Sequence, residues 1–478
     1  MTRSRTLLGL LIVAGCALNP VTGQRELALV SEAQEIAMGR QGNAAVIASI
    51  GLVPDQGLQT WVRGIGEALA ARTERPNLPW EFHVVNDGAV NALALPGGFI
   101  FVTRGLLTHM TTEAELASVL GHEVGHVAAR HSVQQISREQ VATLGLGLGS
   151  VLSPTIAKYG QVAGAGLGLV FLKYGRDDET QSDKIGFGYA LAAGYDTREM
   201  ISVFQMLKLS AAQGGGGRLP EWQSTHPDPG NRITAVQRLV DASTQNFNAL
   251  RVGGDEFLRR LDGMVYGEDP RAGFFQGSLF LHPDLAFTLR FPDGWSTHNA
   301  NDAVTAVSKE QDAMIELRGA EGSAVEAAQR FFAQEGLEAG AQSRGSVHGH
   351  LAIRGAFSVP ASEQAAAVRG VAIFIEYGGQ TWGITAFSTA VKFPTYASAF
   401  DRSFESFDRL TDPAALAVQP KRLRIAQAPR AMTLQQFHAA MPSTIPLAEL
   451  AMINGMAEGA SLRAGQPVKR VIGSSPPR

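Results

Sequence analysis

His122-Glu123-Val124-Gly125-His126 supplies the residue types that metal-assisted hydrolysis needs. On a helix, positions i and i+4 share a face, so the imidazoles of His122 and His126 can hold one zinc ion between successive turns. Glu123 is offset toward a water at that ion and can serve as its base. The bland alternative is a pair of core histidines with ordinary hydrogen-bond partners. Against it stands the start signal of the helix itself. Thr112 and Glu115 form a capping box, and Leu116, Val119, Leu120, Val124 and Val127 recur at helical spacing. Cap, apolar stripe and motif agree on residues 112–131 as the organising stretch.

Two imidazoles leave a zinc ion short of ligands, and an acidic helix start downstream can supply the next. Glu179 and Asp183 are four residues apart and share a face. Glu179 can complete a three-ligand site while Asp183 orients a histidine ring from behind. Acids also favour helix N-termini for purely electrostatic reasons, so the pair alone is weak. In company with His122 and His126 the ligand reading is the better one.

The elements that must position these residues are legible around them. Ser31 with Gln34 caps a helix that runs toward Ala48, and a second helix follows Asp55. Residues 80–85 and 98–103 read as strands. Between them lies Asn91-Ala92-Leu93-Ala94-Leu95-Pro96-Gly97-Gly98, where Pro96 lacks an amide donor and the glycines permit unusual dihedrals. This segment suits an exposed sheet edge, where Asn91, Ala92, Leu93 and Ala94 can bind an extended peptide as an added strand. The run Gly214 to Gly217 precedes Thr225-His226-Pro227 and reads as a hinge. Arg232, in the first turn of the helix capped by Asn231, is badly placed for the helix dipole, which hints at another task.

The chain has 478 residues, 45% hydrophobic composition and a net charge of -3. It can bury more than one core, and it has no basic patch to collect phosphates, so no nucleic-acid partner is expected. Its sole cysteine, Cys16, excludes an intramolecular disulfide. Arg3 and Arg5, an apolar run over 7–14, then Gly15 and Cys16 read as an export signal. Val13-Ala14-Gly15-Cys16 resembles the bacterial lipoprotein box, in which the cysteine is lipidated; a plain secretory signal is the alternative. Ala17 after Cys16 resembles the pattern of outer-membrane sorting. Residues 141–172 are apolar and glycine-rich but too interrupted for two membrane spans, so a buried or membrane-facing helical hairpin is expected.

Taken together, these motifs resemble the zinc metallopeptidase family that includes the HtpX heat-shock proteases, the CAAX prenyl proteases and periplasmic proteases of outer-membrane assembly. The resemblance covers about the first half of the chain. It implies zinc at His122, His126 and Glu179, Asp183 behind them, Asn91 to Val102 as the family's edge strand, and His226 on a loop that can lie over the metal. It also implies catalytic roles for Glu123, His226 and Arg232, with Glu123 as base and either of the other two stabilising the oxyanion. The Asn-Pro-Val-Thr-Gly leader after Cys16 resembles the exported branch. Gln181 and Ser182 depart from the family, which usually has Glu and Ala there.

Beyond residue 255 the texture turns strand-like, with strands over 279–282, 286–291, 314–317, 371–377 and 382–386 and a helix over 324–334. His348 and His350 read as strand or turn residues rather than ligands. At 423–471 the order of elements resembles a LysM module, a βααβ unit associated with cell-wall glycans. The stretch around Pro429 lacks the usual Gly-Asp pair, so glycan binding and mere packing both remain open. The expected class is therefore α+β: a mainly helical metallopeptidase domain with a small edge sheet, an α+β accessory domain and a small βααβ module. The boundaries are a signal at 1–15, leader at 16–30, peptidase domain at 31–250, linker at 251–275, accessory domain at 276–410, module at 420–472 and tail at 473–478. The expected function is cleavage of misfolded or stalled envelope proteins at the periplasmic face of the outer membrane, by a lipid-anchored enzyme. Its expected partners are the outer-membrane assembly machinery and, through the module, peptidoglycan. A chaperone or scaffold lipoprotein that rarely cleaves is the other reading.

Overall fold

The computed structural model describes residues 16–145, 169, 172–213, 222–226, 229–361 and 366–474. The signal at 1–15, most of the apolar stretch 141–172, the glycine run and most of the tail lie outside the described residues. No described helix is long and apolar enough to cross a membrane.

The leader forms a hairpin: β1 (Cys16–Leu18) pairs antiparallel with β2 (Arg25–Leu27). Asn19 makes the turn, because its Oδ1 accepts from the amides of Val21 and Thr22 at 2.9 and 3.2 Å. Its Nδ2 donates to Ala129 O at 3.3 Å, which pins the hairpin beside the end of the zinc helix.

Helix α1 (Glu32–Ile50) starts at the Ser31/Gln34 box, and α2 (Gln56–Ala70) starts at Asp55, whose side chain accepts from the Leu58 amide. Three strands follow, β3 (Glu81–Val85), β4 (Ala92–Leu95) and β5 (Phe99–Thr103), in the order β3-β5-β4. Strand β5 is parallel to β3 and antiparallel to β4, which places β4 at the edge. Gly97 and Gly98 turn the chain with φ of 81° and 107°, and a Cβ on Gly97 would stand 2.8 Å from Ile36 Cα. The edge is nevertheless closed. All of Ala92–Leu95 is buried, contrary to the expected exposed peptide-binding edge, because the four residues pack between α1 and the zinc helix.

Helices α3 (Arg104–His109), α4 (Glu113–Ala128), α5 (His131–Gly145), α6 (Arg176–Ala192), α7 (Glu199–Gln213), α8 (Pro229–Ala242) and α9 (Gly254–Leu261) complete this half. Helix α4 begins at the Thr112/Glu115 capping box, and every one of its residues is buried. Helix α9 corrects the expected linker. Its Phe257, Leu258 and Leu261 share one face and enter the core, while its charged residues face out, so this segment packs with the N-terminal half.

Strands β6 (Phe274–Gln276), β7 (Leu279–His282) and β8 (Phe287–Arg290) open the accessory domain. They are followed by β9 (Ser296–Asn299), β10 (Val304–Val307), β11 (Ala313–Ala320), β12 (Glu338–Val347), β13 (His350–Val359), β14 (Val368–Tyr377) and β15 (Gln380–Thr389), which form a seven-stranded antiparallel sheet in the order β12-β13-β14-β15-β11-β10-β9. Helix α10 (Ala324–Phe332) covers one face, packing on Met314, Phe357 and Phe374. Helix α11 (Phe393–Glu405) covers the other, where Phe400 and Phe404 meet Ile315, Ile373 and Ile384. The alternation of β11 sends its residues to the two cores in turn.

The C-terminal module has the expected βααβ order: Arg422–Gln427 pairs antiparallel with Pro467–Ile472, and the helices Leu434–Ala440 and Leu447–Ile453 lie between. It does not stand apart. Leu423, Leu434, Phe437, Leu450 and Ile453 share one buried cluster with Leu116 and Leu120 of the zinc helix. Lys469 is fully buried, and its Nζ donates to Thr108 O at 2.9 Å and to Met110 O, just before the cap of α4.

Candidate metal centre

Helices α4 and α6 approach closely because small residues line their crossing. A Cβ on Gly121 would stand 2.9 Å from Gly186 O, and one on Gly125 would stand 2.8 Å from Ser182 Oγ. Ser182, one of the departures noted above, donates its hydroxyl to His122 O. This contact brings the acids of α6 level with the histidines of α4.

Four side chains then converge. Ligand atoms of His122, His126, Glu179 and His226 all lie within 4.8 Å of one another. His126 Nε2 is 2.9 Å from His122 Nε2 and 3.3 Å from Glu179 Oε1. His226 Nδ1 is 3.3 Å from His122 Nε2 and 2.9 Å from Glu179 Oε1. Tetrahedral zinc with bonds of 2.0–2.1 Å sets its ligands roughly 3.3 Å apart, so these atoms fit such an ion. Both oxygens of Glu123 and Glu179 Oε2 are buried with no hydrogen-bond partner among the described residues, as acids beside a cation would be.

Each ring has an acceptor behind it that fixes its tautomer. His122 donates Nδ1–H to Asp183 Oδ1 at 2.9 Å, leaving Nε2 as a lone pair toward the centre. For His126 the acceptor is another ring: its Nδ1 is 2.8 Å from His131 Nδ1, and His131 Nε2 is 2.6 Å from Gln181 Oε1. Since Gln181 Oε1 can only accept, His131 carries its proton on Nε2 and accepts at Nδ1. His126 Nε2 is therefore also free to bind a metal. Tyr174 stacks on His126 with 3.9 Å between ring centroids, and Trp222 stacks on His226 at 4.2 Å.

The protonation states of His122, His126 and Glu179 match a metal site. Burial lowers His122 to about 4, with Arg232 acting in the same direction. Burial and the neighbouring His122 hold His126 well below its ordinary value. Burial works against the charge of Glu179, but His226, His126 and His122 prevail and keep it ionised far below the usual carboxylate range. Asp183 likewise stays low, because Arg232 and His122 outweigh its burial. Burial raises Glu123 to about 7, and the charge of Glu179 adds to the rise. Burial disfavours a charged His226, yet Glu179 and Glu123 raise its pKa.

The structure thus gathers His122, Glu123, His126, Glu179, Asp183, His226 and Arg232 in one buried cluster. Arg232 faces the acids of α6. Its Nε donates to Asp183 Oδ2 at 2.7 Å and Nη2 to Asp183 Oδ1 at 2.6 Å. Nη1 lies 2.9 Å from Glu179 Oε2, an ion pair without a hydrogen bond, so two of the three nitrogens hold Asp183 and the third is buried without a hydrogen-bond acceptor among the described residues. Of Asn91, Ala92, Leu93 and Ala94, the last meets the cluster through Tyr174, whose hydroxyl is 3.5 Å from Ala94 O. Sequence reasoning missed His131, Tyr174 and Trp222. His131 carried a signal, since it stands five residues after His126 beside the motif; Tyr174 and Trp222 carried none.

Residues 57–240 match the model of Peptidase family M48. The match spans every residue of the cluster, and it makes this segment a metallopeptidase domain. Similar proteins include the mitochondrial metalloendopeptidase OMA1 of Arabidopsis thaliana, 35% identical over 42% of this chain and 40% of that one. The beta-barrel assembly-enhancing protease of Yersinia pestis is 31% identical over 46% of this chain and 47% of its own length, and that of Escherichia coli K12 is 27% identical over 48% and 50%. The chain thus spans half or less of each of these relatives. The solution structure of PsbP from Synechocystis, 13% identical over 28% of this chain and 95% of that one, gives a TM-score of 0.21, too low to argue from.

Proposed function

We propose that this chain is a latent zinc metalloendopeptidase of the periplasm, tethered to the outer membrane through Cys16, that cleaves misfolded or stalled envelope proteins. The observation that carries the proposal is the convergence of His122, His126 and Glu179 with Glu123 beside them, in a segment that matches a peptidase family. Relatives named beta-barrel assembly-enhancing proteases support the envelope setting.

His122, His126 and Glu179 would hold the zinc, which would supply a water of lowered pKa and polarise the scissile carbonyl. Glu123, raised by burial to about 7, takes the proton of the attacking water and returns it to the leaving amine. Asp183 and Arg232 keep His122 and Glu179 in place. His226 Nδ1 stands at a fourth ligand position while its Nε2 lies 3.6 Å from Glu123 Oε1. In that position it excludes the water, and the enzyme rests inactive. Displacing the His226 segment moves Trp222, frees Glu123 and, with Tyr174, uncovers the β4 edge for an extended substrate. Once displaced, His226 is the group that meets the oxyanion.

The same closed arrangement supports a second reading, a client-binding scaffold lipoprotein that rarely cleaves. The LysM-like module adds peptidoglycan as a partner through its exposed loops at 429–431 and 457–459, while its other side packs on the zinc helix.

The test is metal analysis with a casein cleavage assay on the full chain. About one zinc per chain with cleavage is expected. A folded preparation without zinc overturns both readings, and zinc in a wild-type chain that cleaves neither casein nor an unfolded outer-membrane protein selects the scaffold.

A further inference from the structure

Helix α10 is too short for the sheet it covers. Its nine residues span roughly 14 Å at 1.5 Å per residue, whereas strands of ten residues such as β14 run about 33 Å. Where the helix ends, a cavity of about 140 Å³ remains between Phe331 on the helix and the sheet. Its walls are aromatic. Phe331 is edge-on to Phe357 at 5.4 Å and tilted to Phe374 at 5.6 Å, and Phe387 and Leu337 complete the apolar lining. Gly383 helps to keep it open, since a Cβ there would meet the Phe374 ring at 3.0 Å.

Two charged residues stand on this face of β11, where alternation calls for apolar ones. Glu316 and Arg318 follow Met314 at every second position and line the cavity. Arg318 Nε is 2.8 Å from Glu316 Oε1 but off the line of a hydrogen bond, and Arg318 Nη2, 4.0 Å from Asp302 Oδ2, is buried with no hydrogen-bond partner among the described residues. A buried donor without a hydrogen bond is disfavoured, so a ligand acceptor at this point is favoured. Gln334, exposed, lines the same cavity and marks its solvent side.

We propose that this cavity is a binding pocket for one aromatic ring, the side chain of a phenylalanine in an extended polypeptide, with Arg318 donating to a backbone carbonyl beside the ring. The volume sets the size: an apolar cavity of about 150 Å³ takes up benzene. The lining sets the type, because rings pack edge-to-face on rings. The donor sets the context, because a peptide carbonyl accompanies a phenylalanine side chain and not a bare hydrocarbon. The pocket lies outside the metal centre and stands whether or not that centre cleaves.

The test follows the ¹⁹F signal of N-acetyl-4-fluorophenylalaninamide with the full chain carrying Glu123→Gln. Saturable broadening is expected, reversed by N-acetylphenylalaninamide and not by N-acetylalaninamide. Gly383→Val fills the cavity and should weaken binding at least about tenfold, the low end for losing a buried aromatic side chain. Arg318→Met should weaken it by about three- to tenfold, the worth of one hydrogen bond. Absence of saturable binding, or unchanged affinity in a folded Gly383→Val, overturns the proposal. If Gly383→Val does not fold, unchanged affinity in Arg318→Met does so instead. A glycine-flanked pentapeptide with the same fluorinated residue should bind at least as well as the single amide. Binding of the amide alone would assign the pocket to free small aromatics and overturn the polypeptide assignment.

Discussion

His226 Nε2 lies 3.6 Å from Glu123 Oε1, while Nδ1 of the same ring stands among the ligand atoms. One imidazole thus faces both the candidate base and the converging ligand atoms. His226→Ala should reduce a four-ligand site to three and speed the loss of zinc to a chelator. An unchanged rate of zinc release would show that His226 is not a ligand at rest.

Glu123 touches the site without being one of its converging ligands. Glu123→Gln should keep about one zinc per chain and lose casein cleavage by at least about a hundredfold, the low end for an acid-base group. Cleavage that survives this change would belong to another site.

The relay from His126 through His131 to Gln181 matters only if it orients the ring. His131→Phe keeps the bulk and removes the acceptor at Nδ1. Zinc affinity should fall by about ten- to a hundredfold, measured by competition with a chelator, as for other hydrogen-bond partners behind metal ligands. Unaltered affinity would reduce His131 to packing.

Lys469 joins the C-terminal module to the chain just before α4. Lys469→Met leaves Thr108 O and Met110 O without their donor and should cost about 2–4 kcal/mol in urea unfolding. Burial lowers Lys469 to about 7, below the ordinary lysine value near 10.5. Between those values the unfolded chain binds the extra proton, so the contribution of Lys469 to stability grows as pH rises from about 7 to 10. The difference between the wild type and Lys469→Met should widen over that range; a constant difference would mean that the amine titrates normally.

Cys16 begins β1 and is the only cysteine. If it carries the anchor, Cys16→Ser should move the protein from the membrane to the soluble fraction after cell lysis. Persistent membrane association would return attention to residues 141–172.

Local rules made the zinc helix readable. The Thr112/Glu115 box, the histidines at i and i+4 and the Glu179/Asp183 pair depend on spacing within one helix, and spacing is written in the chain. The same holds for the helices begun by Ser31 and Asp55 and for the βααβ order of the module. Polar, exposed β12 escaped notice because it buries almost nothing and so shows no alternation. What joins separate segments was decided only in three dimensions. Arg232 turned out to bond Asp183, β4 to be an edge strand with both faces covered, α9 and the module to share a core with helix α4, and His131 to stand behind His126. Each of these depends on which surfaces meet in space, and such meetings are set by the packing of whole faces, of which a single stretch of sequence records one side.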